Sequence, residues 1–222
     1  MNIAPFHSFQ PDWILGVLLL CFALLAWAQY FNRTRLRQIL TAPFLKRYMS
    51  QLVREGDLFS ERISVPLALL YLLVIPLLAY ETNLHFDFIR IRLGSFLVYL
   101  IFSAALDLYW LAKYILIRLL GSIFKTYQTT REYLLNILVI NFITGIVLLP
   151  FLTLMVYLKS PVLLYISLCL FGISFVFRFG RGFLIGFSLK KFSYLYLFVY
   201  LCTLEILPLI LVAKILLTYH LK

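Results

Sequence analysis

Long apolar stretches alternate with short polar connections along this chain. A helix needs roughly 20 apolar residues to cross the hydrocarbon core of a bilayer, which is about 30 Å thick. An isolated strand would leave its backbone groups unpaired in lipid, so each long stretch predicts a helix. We predict an all-α, polytopic membrane protein that forms a single membrane domain over residues 1–222. Its transmembrane helices, about six in number, are expected near 12–31, 63–80, 93–112, 133–158, 161–179 and 194–218.

Composition supports the membrane class. Hydrophobic residues make up 64% of the chain, charged residues only 13%, and the mean hydropathy is +0.98. A soluble domain carries about a quarter charged residues. The three cysteines, Cys21, Cys169 and Cys202, lie in apolar stretches without metal-ligand spacing, so we expect neither a disulfide framework nor a metal site.

The positive charges predict the orientation. Cytoplasmic connections of membrane proteins are rich in Lys and Arg. Of the 20 such residues here, 15 fall in the stretches 33–62, 113–131 and 178–191, which share one side of a six-helix arrangement. We therefore predict that both termini face outward. The stretch 113–125 is ambiguous, because it could continue the third helix or bend along the inner surface.

The predicted inner side includes an amphipathic helical segment over residues 33–55. Its apolar residues recur at spacings of three and four, with basic residues between them, and Pro43 is expected to begin a second helix within it. Such a segment can lie in the membrane interface against anionic head groups, or pack on the protein's own structure. The basic inner surface is formed by Arg33, Arg35, Arg37, Lys46 and Arg47.

Polar residues within the apolar stretches are the candidate functional residues. Glu205 lies near the middle of the last stretch, and Pro208 predicts a kink that frees a neighbouring carbonyl. Asp107 shares a helix face with Ser103 and Ala104, and Arg178 or Arg118 is expected to be its counter-ion. Asn141 adds a polar side chain on the fourth helix. The set can serve a pathway for protons or a small solute, or it can join helices and subunits by hydrogen bonds.

Signatures of catalysis are not found in the sequence. His7, His85 and His220 stand outside any metalloprotease motif, and no serine occupies a nucleophile-elbow context. We expect a protein that is not an enzyme and that needs no cofactor.

Two stretches carry a resemblance to a known family. They are "YLYLFVYLCTLEILPLILVAK" near the C-terminus and "LAKYILIRLLGSIFK" earlier in the chain. Both resemble an uncharacterised integral membrane family of Bacteroidota that is known only as a domain of unknown function. The resemblance implies the inner membrane of a Gram-negative envelope, with no known activity, and a loose association with membrane-protein insertion. The matching positions are Lys113, Gly121, Phe124, Glu205, Pro208 and Lys214.

These observations lead to two hypotheses. The first is an accessory or scaffold subunit, without catalysis, of an inner-membrane complex for envelope assembly or for protein export and insertion. Its expected partners are anionic lipid head groups, other membrane-protein subunits and, through the basic inner face, the ribosome; DNA is not expected. The alternative is a small proton-coupled transporter that uses Glu205 and Asp107.

The predicted orientation can be tested with reporter fusions at Lys222 and Gly56. We expect periplasmic activity for the fusion at Lys222 and cytoplasmic activity for the fusion at Gly56, because the positive stretches stay inside. Cytoplasmic activity at Lys222 would contradict the orientation and would point to a miscounted segment.

Overall fold

The described part of the chain is entirely helical apart from its connections. A computed structural model describes residues 12–43, 63–86, 94–123, 127–158 and 160–187. All five helices in these ranges contain a stretch long and apolar enough to cross a membrane, which confirms the polytopic all-α class. The predicted sixth segment, 194–218, lies outside the described residues. The helices are α1 (Trp13–Thr41), α2 (Ser64–Phe86), α3 (Ser95–Ile123), α4 (Tyr127–Leu158) and α5 (Pro161–Phe187).

Helices α2 and α4 form the centre of the bundle. Each of them packs against the other four described helices, whereas α1, α3 and α5 lie around the pair. In the most apolar part of each helix, 61% of the α2 residues are buried, compared with 11% for α3 and 17% for α5. The outer helices therefore expose apolar side chains, as expected of surfaces that face lipid.

The bundle has two ends with different chemistry. At one, the Trp13 ring lies 5.3 Å from Tyr80, 5.6 Å from Phe96 and 5.0 Å from Tyr99, measured between ring centroids. We call this the Trp13 end. At the other, the Arg181 end, Nη1 of Arg181 donates hydrogen bonds to the carbonyls of Ala42 and Pro43, which directly follow the last residue of α1. A cation suits this position, because the C-terminus of a helix is the negative end of its dipole.

Basic residues in the described chain gather toward the Arg181 end. Every described Lys and Arg lies in the half of its helix that is nearer this end. The asymmetry agrees with an inner location for the Arg181 end, although the orientation in the membrane stays a prediction.

Close backbone contact joins the two central helices at Gly145. A Cβ atom placed there would lie 2.8 Å from Cδ2 of Leu70 and 3.2 Å from the Cα of Tyr71. Small residues permit such an approach between membrane helices. Farther along, Pro76 lacks the N–H that would bond the carbonyl of Leu72. The hydroxyl of Tyr99 donates to the next carbonyl, that of Leu73, at 3.3 Å and so ties α3 to the loosened turn.

The start of the predicted amphipathic segment is a continuation of α1. The helix runs unbroken through Arg33, Arg35 and Arg37 to Thr41, so residues 33–41 of the predicted segment continue the first transmembrane helix. Leu36 and Ile39 are buried in a cluster with residues of α2 and α4, so their apolar face packs on the protein's own helices. Arg33 and Arg37 are exposed on the other side. Residues 44–55, with Lys46 and Arg47, lie outside the described residues.

The ambiguous stretch after residue 112 is also helical. Helix α3 is continuous to Ile123, so residues 113–123 extend the third predicted helix. A Cβ at Gly121 would collide with the side chain of Thr130, which shows how closely α3 and α4 approach near their connection. The second predicted segment is likewise longer than expected, because α2 continues to Phe86.

The contact at Gly145 predicts that alanine substitution affects stability very differently at two glycines. We expect Gly145→Ala to lower the free energy of unfolding by about 1–3 kcal/mol, because the added methyl group would crowd the Leu70 side chain and the backbone of α2 at Tyr71. Gly172→Ala should be neutral or slightly stabilising, since nothing lies within 4 Å of a Cβ there. Unfolding of both variants in mixed micelles, followed by circular dichroism, measures the difference. Equal stability of the two variants would contradict the packing of α2 on α4.

Candidate functional site

Arg178 is the centre of a polar cluster in the half of the bundle nearer the Arg181 end. Its side chain is only 7% exposed. Nη1 donates to Oδ1 of Asn141 on α4 at 3.5 Å. The guanidinium carbon lies 5.4 Å from the ring centroid of Trp110 on α3 and 4.8 Å from that of Phe175. Arg178 therefore joins three helices, and the two aromatic faces attract its charge.

A second cation approaches the same indole ring. Lys113 is 3% exposed, and its Nζ lies 5.6 Å from the ring centroid of Trp110. The ring of Tyr71 on α2 meets Trp110 edge-on, at 5.5 Å between centroids. Cation–π contacts reach about 2 kcal/mol when the cation is desolvated. Trp110 thus lies against two buried cations, on a helix that otherwise exposes most of its surface.

Hydroxyl groups continue the polar contacts between α4 and α5. The Thr144 hydroxyl donates to the carbonyl of Ile140 at 2.8 Å. It also contacts the hydroxyl of Ser174 closely, and either hydroxyl can be the donor in this pair. Together with Arg178 and Asn141, this pair forms what we call the α4–α5 seam. Such contacts are the ordinary means by which membrane helices associate.

Asp107 does not have the cationic partner that the sequence suggested. Oδ2 of Asp107 accepts a hydrogen bond from Ser103 at 3.4 Å, whereas Oδ1 is buried without a hydrogen-bond partner. Arg178 donates to Asn141, and Arg118 donates to the hydroxyl of Tyr114 at 3.5 Å. The predicted counter-ion role of Arg178 or Arg118 is therefore wrong. Helical side chains lean toward the N-terminus of their helix, and this direction carries the Asp107 carboxylate toward the Trp13 end.

Comparison with protein families places the whole site in one domain. The family described as domain of unknown function DUF4271 matches residues 14–216. The chain belongs to the DUF4271 family. The match covers nearly all of the chain, so the expected membership of a family known only as a domain of unknown function is confirmed. No curated protein and no solved structure matches the chain.

The family match also extends over candidate residues for which the structure gives no geometry. Glu205 and Pro208 lie within residues 14–216 but outside the described residues. The structure therefore brings together Asn141 and Arg178, leaves Asp107 apart from them, and leaves Glu205 as a prediction.

Glu81 is a buried acid that sequence reasoning missed. It is 3% exposed, and its Oε1 has no hydrogen-bond partner. The second predicted helix ended at residue 80, which placed Glu81 in a connection. A better signal was the absence of Gly and Pro between Pro76 and Phe86, which allows α2 to continue. The described acids with an unpartnered oxygen are thus Glu81, toward the Trp13 end, and Asp107, near the middle of α3.

The side chains gathered around Trp110 are of types that suit binding and helix association. Within the described ranges, no three His, Cys, Asp or Glu side chains are arranged to hold a metal ion. The cluster around Trp110 presents positive charge, aromatic faces and one amide, which suit a negatively charged group.

The α4–α5 seam can be tested with two threonines of the same helix. Thr144 and Thr153 each donate to the carbonyl four residues earlier at 2.8 Å, but of the two only Thr144 is recorded in contact with a hydroxyl of α5. We expect Thr144→Val to lower the free energy of unfolding by about 0.6–1.7 kcal/mol, the range for hydrogen bonds between membrane helices. Thr153→Val should change it by less than half as much. Titration with sodium dodecyl sulfate measures both, and equal losses would show that the contact with Ser174 contributes nothing.

Proposed function

We propose that this protein is an accessory or scaffold subunit, without catalysis, of a bacterial inner-membrane complex for envelope assembly or protein export and insertion. The observation that carries the subunit role is the carboxyl group of Asp107. It lies on the helix with the smallest buried share, near the middle of its length, with one oxygen lacking a hydrogen-bond partner.

The energetics of Asp107 favour contact with another helix. A charged carboxylate at the centre of a membrane helix costs at least about 2.5–3.5 kcal/mol. Ser103, one turn away, offers a single hydrogen bond. A donor or a cation on a neighbouring subunit that came within hydrogen-bonding distance of the carboxylate would reduce this cost.

The surroundings of Asp107 suit close helix contact. Ser103 and Ala104 are small and lie one turn before it, and Ala104 is exposed. Small residues next to a polar group let two helix backbones approach within hydrogen-bonding distance. The face formed by Ser103, Ala104 and Asp107, which we call the Asp107 face, therefore has the properties of a subunit contact.

Contacts between the other described helices also support the scaffold role, because they hold the helices in fixed positions. The buried polar groups of α4 and α5 bond one another across the seam, and Arg178 is held by an amide and two rings. At the Arg181 end, exposed Arg33, Arg37 and Arg118 offer positive charge to anionic lipid, to an acidic surface or to ribosomal RNA. The bacterial inner membrane and the link to export rest on the family resemblance alone.

A proton-coupled transporter is the second candidate, and Glu81 is the observation that favours it. Glu81 on α2 and Asp107 on α3 are acids on adjacent helices, each with an oxygen that lacks a hydrogen-bond partner. Acids at successive depths are typical of proton relays. In this hypothesis, Glu205 would extend the series.

Variants of Asp107 distinguish the two functions when partners are recovered from native membranes. We expect Asp107→Leu to reduce the recovered partner about 5- to 30-fold, which corresponds to the loss of about 1–2 kcal/mol. Asp107→Asn keeps a hydrogen-bonding head group and should retain most of the partner. Leu108→Ala is the matched control, because this neighbour is 67% exposed and apolar and should leave recovery unchanged.

The same variants would exclude the scaffold role if function needs the titratable proton of Asp107. A transporter needs a group that titrates, so Asp107→Asn would abolish growth or proton uptake into reconstituted vesicles as fully as Asp107→Leu. Loss of function in Asp107→Asn with normal partner recovery would overturn the proposed function in favour of transport.

A further inference from the structure

The exposed surface of α1 changes from aromatic to basic as the helix approaches the Arg181 end. Trp27, Tyr30 and Phe31 are exposed, and Tyr30 is the most exposed of them, at 84%. The ring centroid of Phe31 lies 5.2 Å from that of Trp27 and 5.3 Å from that of Tyr30. Arg33 and Arg37 follow and are also exposed. Tyr30, Arg33 and Arg37 recur at spacings of three and four, so they share one side of the helix, which we call the α1 interface face.

The rotation of α1 about its axis is fixed in this stretch. Leu36 and Ile39 are buried in a cluster with residues of α2 and α4. Arg35 is partly buried and donates a hydrogen bond to Oε1 of Gln38 at 3.1 Å. The opposite side of α1 is thus held on the bundle, and Arg33 and Arg37 are presented away from it.

The length of α1 places these arginines at the border of a bilayer. Arg33 follows Trp13 by 20 residues, so their Cα atoms are about 30 Å apart along the helix axis. The hydrocarbon core of a bilayer is also about 30 Å thick. Trp and Tyr are enriched at both borders of that core, as are Trp13 with Tyr80 at one end of the bundle and Tyr30 toward the other. Arg33 and Arg37 therefore lie at the level of lipid phosphates.

We propose that Arg33 and Arg37 together bind the phosphate of an anionic phospholipid, whose glycerol backbone and first acyl carbons lie against Tyr30 and Phe31. Side chains four residues apart have Cβ atoms about 5–6 Å apart on a helix surface, so both guanidinium groups can reach one phosphate. The planar fork of a guanidinium matches phosphate oxygens. Helical side chains lean toward the N-terminus of their helix, which directs both arginines back toward the bilayer.

The charges of α1 favour an anion at this place. Like charges four residues apart on a helix repel each other, and α1 contains no Asp or Glu to separate them. A bound phosphate offsets this repulsion. Lipid phosphates surround the helix at this depth in any membrane, whereas an acidic protein or an RNA would approach from the water and leave Tyr30 and Phe31 without a contact. This inference does not depend on the proposed subunit role, because the Asp107 face is on α3.

Retention of lipid by the purified full-length protein tests the role of the arginines. The probe is an equimolar mixture of phosphatidylglycerol and phosphatidylcholine, and native mass spectrometry measures what stays bound. We expect Arg37→Gln to weaken retention of phosphatidylglycerol about fivefold and Arg33→Gln with Arg37→Gln to weaken it about 5- to 30-fold. Retention of phosphatidylcholine should not change. Arg118→Gln is the matched control, because Arg118 is exposed at the same end of the bundle and has no basic residue four positions away on α3.

A pair of tyrosines tests the aromatic part of the site without a change of charge. We expect Tyr30→Ser to weaken retention of phosphatidylglycerol about two- to fivefold, because the ring no longer lies at the lipid border. Tyr157→Ser is the control, since Tyr157 is 61% exposed but lies at the Trp13 end. A large excess of inorganic phosphate should not displace the lipid from the unaltered protein.

Three results would overturn the proposal. Equal retention of phosphatidylglycerol in Arg37→Gln and Arg118→Gln, with normal circular dichroism for both, would show that only net charge matters. Displacement of the lipid by inorganic phosphate would assign the arginines to a free anion. Normal retention in the double arginine variant, together with loss of a copurified protein or of ribosomes, would assign them to that partner instead.

Discussion

The close approach of α2 and α4 at Gly145 is the contact on which the described bundle depends. Without a side chain at this position, α4 reaches the backbone of α2 at Tyr71, and the remaining three helices pack on the resulting pair. In lipid no hydrophobic force drives helices together, so van der Waals contact at small residues supplies much of the association energy. The position of Tyr71 against Gly145 also sets where its ring meets Trp110.

The polar side chains of the described bundle have different surroundings at its two ends. Toward the Arg181 end, Arg178, Asn141 and Lys113 are held among aromatic rings and hydrogen bonds. Toward the Trp13 end, aromatic rings pack on one another, and the one buried acid, Glu81, has an oxygen without a partner. The described structure thus stabilises its buried cations better than its acids, and the unsatisfied acids are where an additional partner would gain most energy.

Sequence patterns located the helices well and the contacts poorly. Spans of about 20 apolar residues identified all five described helices, because the bilayer thickness imposes that length. The ends of α1 and α2 were missed because charged residues such as Arg33 and Glu81 mark the limit of an apolar stretch but do not end a helix. Asn141 and Arg178 were identified as polar residues, yet their pairing depends on the register between α4 and α5, which no single-helix pattern contains. Lys113 begins the stretch whose path the sequence left open, and it lies buried beside Trp110.

The separation of Asp107 from Arg178 is informative because the two could have been paired. Asp107 lies one turn from Trp110 on α3, and Trp110 contacts Arg178, so a modest change of register would bring acid and guanidinium together. Instead the guanidinium faces two rings and an amide, and the carboxylate leans away along α3. Pairing Asp107 with Arg178, or replacing Asp107 with an apolar residue, would make the bundle itself more stable. The described bundle therefore carries an energetic cost at Asp107 that contact with another helix, or a proton, would offset.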